Sequence, residues 1–183
     1  MIRAIMEQAR KKDGKQMEQE RIVCFTGHRR IPQTEHAALK RRLRQAIVRQ
    51  VQAGATVYRT GGALGFDTMA AQTVLELRTR YPQIRLELIL PCPSQTARWQ
   101  AQDVAVYEEI RAQADEVRYV SPYYFNGVLQ LRNRKLVEGA DVCIGYLTDS
   151  QTHSGGTAYT LLQALHAGVE WINLAEVPQE QGI

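Results

Sequence analysis

The stretch TGGALGFDTMAAQ, residues 60–72, places Gly61, Gly62 and Gly65 between an apolar segment of strand length and an amphipathic segment of helical period. Glycines at such a junction leave backbone amides uncovered, and a helix that begins there presents the positive end of its dipole. The stretch therefore predicts a strand–helix unit whose loop binds an anion. Asp67 would cap the helix or accept a hydrogen bond from a ribose hydroxyl. The alternative is a tight left-handed turn in which Asp67 is only a cap.

Strand-like and helix-like segments alternate on both sides of this stretch. The apolar segments predict six strands, at residues 22–26, 56–60, 85–90, 116–120, 142–147 and 171–174. The segments with a 3.6-residue period predict five helices, at residues 35–53, 66–80, 97–114, 126–138 and 157–167. Strict alternation favours parallel strands joined by right-handed crossovers. The predicted fold class is α/β, a three-layer sandwich with a mainly parallel, doubly wound sheet.

A doubly wound sheet binds its ligand outside the carboxyl ends of the strands, where the strand order reverses. We assume the order 3-2-1-4-5-6, in which the first and fourth strands flank the reversal and the third strand is an edge. Four loops then meet at one place, at residues 27–30, 61–67, 121–127 and 148–157. The functional site is expected among these loops.

A second glycine-rich segment, HSGGT at residues 153–157, precedes the last predicted helix. Ser154 would be the N-cap of that helix, and Thr157 would offer a hydroxyl donor. Gly155 and Gly156 would supply bare amides. Together with the cationic loop after the first strand, the two glycine segments form a cleft with many donors, which suits a phosphate or a pyrophosphate.

The loop after the first strand contributes Gly27, His28, Arg29 and Arg30. Only one glycine stands in it, so the GxGxxG dinucleotide fingerprint is missing from its usual place. Neither glycine segment matches the Walker pattern GxxxxGK[ST]. ATP hydrolysis and ordinary dehydrogenase chemistry are therefore disfavoured.

The fourth predicted helix carries Arg132 and Asn133 near its start. The guanidinium would clamp a phosphate, and Asn133 would contact an amide, a base edge or a ribose. The alternative is that both are ordinary surface residues. The aromatic residues at 123–125 precede this helix and either stack on a base or plug the core.

Composition and length fit one folded unit, since 183 residues with 44% hydrophobic content bury a sizeable core. We expect an N-terminal arm at residues 1–20, helical or disordered, a single domain at 21–176 and a tail at 177–183. The apolar runs are far shorter than the roughly 18 residues of a membrane-spanning helix. No membrane partner and a cytoplasmic location are therefore expected.

The three cysteines, Cys24, Cys92 and Cys143, match neither a disulfide framework nor a CxxC zinc pair. We expect buried thiols and no metal site.

The net charge is +4, and the densest basic cluster lies on the first predicted helix. Its members are Lys40, Arg41, Arg42, Arg44 and Arg49. A solvated helix face explains the cluster, and nucleic acid is the less favoured explanation.

Five motifs in this order and spacing resemble one protein family. They are CFTGHR at 24–29, TGGALGFDTMAA at 60–71, LILPCPSQTARW at 88–99, RNRKLVEGADVCIGY at 132–146 and SGGTAYT at 154–160. Together they resemble the YpsA-like branch of the SLOG superfamily, from about Val23 to Leu174. The resemblance implies a Rossmann-like domain that binds a nucleotide or nucleotide-derived ligand in a bacterial cytosol, with links to stress responses. It also implies a homodimer, as relatives form.

Two relatives supply the alternatives. The Lonely Guy phosphoribohydrolases carry the motif PGGxGTxxE, and alignment on the shared Gly-Thr puts Thr160 where their glutamate stands. A hydroxyl cannot act as that acid or base near neutral pH, so hydrolysis would need Asp67 or Glu138 instead. DNA-processing protein A, which has a similar glycine stretch, implies single-stranded DNA binding. Binding without turnover is the expected function, and a nucleotide, an ADP-ribose-like molecule or phosphate is the expected ligand.

Overall fold

The computed structural model describes residues 20–148 and 155–175. The six strands are β1 (Arg21–Gly27), β2 (Ala55–Thr60), β3 (Arg85–Leu90), β4 (Glu116–Tyr119), β5 (Val142–Tyr146) and β6 (Glu170–Asn173). The five helices are α1 (Gln33–Gln52), α2 (Phe66–Arg78), α3 (Ala101–Gln113), α4 (Val128–Val137) and α5 (Gly156–His166). The predicted α/β fold class is confirmed. The arm and the tail lie outside the described residues apart from Glu20, so their boundaries stay predictions.

The third helix begins later than its apolar spacing predicts. Residues Pro93–Thr96 form a 3-10 turn, and α3 starts at Ala101 rather than at residue 97. Trp99, which extended the apolar period toward the N-terminus, packs edge-on against Tyr107 with ring centroids 5.5 Å apart. The apolar residue in this region therefore reflects packing against α3 and not a longer helix.

All six strands are parallel, in the order β4-β3-β2-β1-β5-β6. The assumed order was wrong, because the fourth strand pairs with β3 at one edge and the third strand is internal. The start of β4 is fastened to β3, since the Leu86 amide donates to the Asp115 carboxylate at 2.8 Å. The strand order therefore reverses between β1 and β5, and the loop 121–127 follows an edge strand that lies three positions from β1.

Helices cover both faces of the sheet, as the three-layer prediction requires. Helices α1, α2 and α3 bury the larger core, which includes Leu43, Phe66 and Ile110. Helices α4 and α5 bury a smaller core, which includes Leu136 and Ala164. Neighbouring residues of β1 point to opposite faces, because side chains alternate along a strand. The layers thus leave the carboxyl edge between β1 and β5 open to loops from both faces.

The three cysteines are buried and free, as predicted. Cys24 and Cys143 are register partners on β1 and β5 and contribute to the smaller core. Within the described ranges, no group of His, Cys, Asp and Glu side chains could hold a metal ion. In the same ranges, no helix has both the length and the apolar character needed to cross a bilayer.

Candidate anion-binding site

A cavity of about 760 Å³ opens at the carboxyl edge of the sheet, beside the reversal of strand order between β1 and β5. One wall is the loop after β1, residues 26–30. The opposite wall is one face of α4, on which Leu129, Arg132, Asn133 and Leu136 repeat at helical spacing. The start of α5, residues 155–159, closes the third side. The cavity therefore has cationic side chains on two walls and a helix N-terminus on the third.

The start of α5 presents uncovered backbone to the cavity. Gly155 is the N-cap residue with φ 101°, a conformation that favours glycine, and a Cβ there would meet no atom of the described residues within 4 Å. A Cβ on Gly156 would meet only Asn133 Nδ2, at 3.7 Å. The first amides of a helix have no intrahelical acceptor, so this turn offers donors to a ligand. Ser154, the predicted N-cap, lies outside the described residues.

Asn133 braces this turn from α4. Its Nδ2 donates to the Gly156 carbonyl at 3.3 Å, and the Thr160 hydroxyl donates to the same carbonyl at 2.8 Å. Both side chains are buried, with Asn133 5% exposed and Thr160 fully covered. Asn133 therefore holds the position of the α5 amides as well as lining the cavity.

A buried ion pair forms the floor of the cavity. Arg132 Nη1 lies 3.5 Å from Asp67 Oδ2, and the two residues are 7% and 5% exposed. Burial raises the pKa of Asp67, and the Arg132 guanidinium and two backbone amides oppose that rise. Arg132 Nε is buried, and no group in residues 20–148 or 155–175 forms a hydrogen bond with it. Arg132 therefore keeps donor capacity that Asp67 does not use.

The first glycine segment is filled by the protein itself. The missing side chain of Gly61 makes room for Arg132 Nη1. A Cβ on Gly62, at φ 62°, would lie 2.6 Å from Leu90 Cδ2. A Cβ on Gly65, at φ 77°, would lie 2.6 Å or less from the backbone oxygens of two residues in the β1–α1 loop. These glycines therefore accommodate the protein's own groups and do not line the cavity.

His28 ties the ends of β1 and β5 together. Its Nε2 accepts the Thr148 amide proton at 3.1 Å, and its ring packs edge-on against Tyr146 at 5.6 Å. Burial lowers the pKa of His28. Arg29 and Arg30, next in the loop, are exposed cations on the cavity wall.

Most of the predicted site residues meet at this cavity. They are Gly27, His28, Arg29, Asp67, Arg132, Asn133, Gly155, Gly156 and Thr157. Gly61, Gly62 and Gly65 are not among its lining residues. Gln130, Tyr159 and Leu162 also line it and were missed, although the helical spacing of Leu129 and Arg132 could have indicated the face of α4. Residues 123–125 neither plug the core nor line the cavity, since they are 69%, 60% and 40% exposed.

Comparison with known proteins identifies relatives of the whole domain. The family model YpsA, described as the YspA SLOG family, matches residues 24–172. A UPF0398 protein of Bacillus pumilus is 30% identical over 153 residues, which are 79% of this chain and 81% of the relative. A UPF0398 protein of Brevibacillus brevis is 31% identical over 107 residues, 57% of either chain.

Two solved structures share the fold at low sequence identity. DNA processing protein A of Helicobacter pylori, described by its single-stranded DNA binding mode, superposes with a TM-score of 0.62 at 22% identity. That alignment covers 92% of this chain and 71% of the other. A structural genomics target, TM1055, has a TM-score of 0.51 at 17% identity, over 82% of this chain and 72% of its own. The predicted resemblance is confirmed: the chain belongs to the YpsA (YspA SLOG) family.

Proposed function

We propose that this protein binds a nucleotide or nucleotide-derived ligand through a phosphate group at the start of α5. One observation carries the proposal: the buried Nε of Arg132 has no partner among the described residues, and Arg132 shares the cavity with the uncovered first turn of α5. A guanidinium and a helix N-terminus are both strong donors to phosphate oxygens. Arg29 would neutralise the ligand from the opposite wall.

The rest of the cavity suits the remainder of a nucleotide. Its volume of about 760 Å³ lies within the range of small-molecule sites. Leu129 would contact a base or sugar on the α4 wall, and Tyr159 would add an aromatic surface on the α5 wall. In a bacterial cytosol, such a site would report the level of its ligand.

Binding without turnover is favoured over hydrolysis of an N-glycosidic bond. Thr160 is fully covered and its hydroxyl donates to Gly156, so it has no access to a ligand. Glu138 is exposed on another surface and pairs with Lys135 at 2.7 Å. Among the described cavity residues, Asp67 is the only carboxylate. Release of free base from nucleoside monophosphates or ADP-ribose, abolished by Asp67→Asn, would instead establish the hydrolase.

The binding site is tested by Gly156→Val. A β-carbon fits at this position, and the larger side chain would cover the amides that hold phosphate. A ligand present at 100 times its Kd raises the free energy of unfolding by about 2.7 kcal/mol. We expect orthophosphate or a nucleoside monophosphate to raise the Tm of the parent protein and not that of the variant. Equal stabilisation of both proteins would contradict the proposal.

Gly62→Val is the matched control. Gly62 has a positive φ, and a side chain there would meet Leu90. Gly62 is not among the residues that line the cavity. We expect this variant to lower the Tm of the ligand-free protein, because valine is strained at that φ. Whatever fraction stays folded should retain ligand binding.

Single-stranded nucleic acid is the second candidate ligand. The exposed aromatic residues at 123–125 support it, because bases of a single strand stack on such side chains. Residues 121–137 also contain three basic residues and no carboxylate. The basic cluster on α1 gives less support. Glu76 lies 2.7 Å from Lys40 Nζ and 3.8 Å from Arg44, so one carboxylate offsets about half of their combined positive charge.

The nucleic-acid candidate is tested by anisotropy of a labelled single-stranded oligonucleotide. We expect Tyr123→Ala with Tyr124→Ala to weaken binding by at least about fivefold, because stacking contributes about 1 to 3 kcal/mol per base. Arg41→Ala with Arg44→Ala should have a smaller effect. No binding by the parent protein at low salt would exclude this candidate.

We propose that two copies of the protein form a homodimer through their α5 helices. Leu162 and Leu165 lie one turn apart on this helix and are 52% and 55% exposed. Two copies could bury these side chains against each other. Sedimentation analysis should show a dimer that Leu165→Lys dissociates, and a monomeric parent at high concentration would contradict the dimer.

A further inference from the structure

We infer that the carboxylate of Asp67 is a built-in anion at the α2 helix opening, so the cavity accepts one phosphate group, between α5 and Arg132, and disfavours a second one beside Asp67. This inference rests on the proposed phosphate site and assigns its ligand class, which is molecules that carry a single phosphate group. It makes Asp67 a residue that determines specificity.

The Asp67 carboxylate receives the donors that a glycine-rich helix opening normally gives to a ligand. Its Oδ2 accepts the Ala63 amide at 3.2 Å, and the Gly61 amide also donates to the carboxylate. Arg132 Nη1 lies 3.5 Å from the same oxygen. Backbone amides and a guanidinium are the donor set of a phosphate site. The side chain therefore takes the place of an oxyanion.

Two further amides of the opening are also bonded within the protein. The Gly62 amide donates to Thr60 Oγ1 at 3.4 Å, and the Phe66 amide donates to the His28 carbonyl at 3.1 Å. The His28 and Arg29 carbonyl oxygens lie against Gly65, where they would repel a negative charge. The amides of residues 61, 62, 63 and 66 therefore already have acceptors within the protein.

The α5 opening differs in both respects. In the part of the chain that the structure describes, a Cβ on Gly155 would meet no atom within 4 Å, and the residues of α5 that line the cavity carry no carboxylate. A first phosphate fits there. The first phosphate takes the free Nε of Arg132, and Asp67 takes its Nη1, so a second phosphate directed toward the cavity floor would mainly meet the Asp67 carboxylate. Like charges at such short range repel strongly where water is excluded.

The test compares orthophosphate with pyrophosphate by isothermal titration calorimetry, in low salt and without divalent cations, near pH 7.5. We expect the parent protein to bind pyrophosphate no more tightly than orthophosphate, despite the larger charge of pyrophosphate. Asp67→Asn keeps an oxygen acceptor for the Ala63 and Gly61 amides and removes the charge. We expect it to raise the affinity for pyrophosphate about tenfold more than the affinity for orthophosphate.

Glu138→Gln is the matched control, because it removes the same charge from an exposed carboxylate outside the cavity. It should leave the ratio of the two affinities unchanged. A parent protein that prefers pyrophosphate by tenfold or more overturns the inference, and so does an Asp67→Asn variant with an unchanged ratio. If Asp67→Asn does not fold, the ratio in the parent protein decides alone. Failure of the parent to bind either anion overturns the proposed phosphate site itself, and with it the assignment of Asp67.

Discussion

The imidazole of His28 joins two strand ends through one hydrogen bond. Nε2 accepts the Thr148 amide proton at 3.1 Å, and the Thr148 hydroxyl lies 3.3 Å from the same nitrogen. A nitrogen that accepts a backbone N–H carries no proton, so the bond requires the neutral imidazole. Burial acts in the same direction and lowers the pKa of His28. The connection between β1 and β5 is therefore sensitive to acid.

The first prediction concerns the pH dependence of stability. The pKa of His28 lies below the ordinary value of about 6.5, so the unfolded chain takes up this proton at higher pH than the folded chain. The contribution of neutral His28 to stability is then fully present above about pH 6.5 and is lost as the pH falls through the lower folded value. Urea denaturation between about pH 7 and pH 5 should show a decreasing free energy of unfolding.

His28→Gln is the comparison for this prediction. Glutamine offers an oxygen acceptor to the Thr148 amide and does not titrate. The decrease in stability with acid should become shallower in this variant. An equal slope in the two proteins would show that His28 is not the group responsible.

At the scale of elements, Glu87 links three neighbouring strands. It lies on β3 and contacts Arg59 on β2 at 2.8 Å and Arg118 on β4 at 2.9 Å. The Glu87 and Arg59 side chains are only 8% and 11% exposed. This network occupies the face of the sheet on which α4 and α5 lie, where Arg59 also donates to the Glu138 carbonyl just after α4. Charged pairs therefore replace apolar packing where the helices leave that face incompletely covered.

The second prediction follows from this burial. Glu87→Ala leaves the Arg59 charge largely buried without its carboxylate, which costs about 3 kcal/mol in the free energy of unfolding. Glu116→Ala is the control, because its bond to Arg118 at 2.8 Å joins two side chains that are each 48% exposed. The control should cost less than about 1 kcal/mol. Equal losses in chemical denaturation would mean that the burial of Glu87 has no energetic consequence.

Sequence patterns predicted the elements better than their arrangement. Period-2 and period-3.6 spacing depends on local burial, so the strands and helices appear close to their predicted positions. The order of the strands depends on crossovers that leave no local signal, and the position of β4 beside β3 was missed. The two glycine segments look alike in sequence. Their difference arises from tertiary partners, since Thr60 and the His28 carbonyl bind amides of the first segment.

At the scale of the whole molecule, the open carboxyl edge gathers groups that are distant in sequence around one cavity. The loop after β1, the face of α4 and the start of α5 form its walls, and the Asp67–Arg132 pair forms its floor. Helices α1 and α3 supply no lining residue to it among the described residues. A ligand bound there should therefore act on several segments at once and leave the outer helices unaffected.

The third prediction uses hydrogen exchange to map that action. With saturating phosphate ligand, we expect slower exchange in peptides that contain residues 28–30 and 156–158, because the ligand accepts from the α5 amides and orders the Arg29 loop. Amides at 61, 62, 63 and 66 should change little, since each already has an acceptor within the protein. Peptides from α3 serve as the internal control for general stabilisation. Protection of residues 61–66 without protection of 156–158 would place the phosphate at α2, and would show that the ligand displaces the Asp67 carboxylate from its amides.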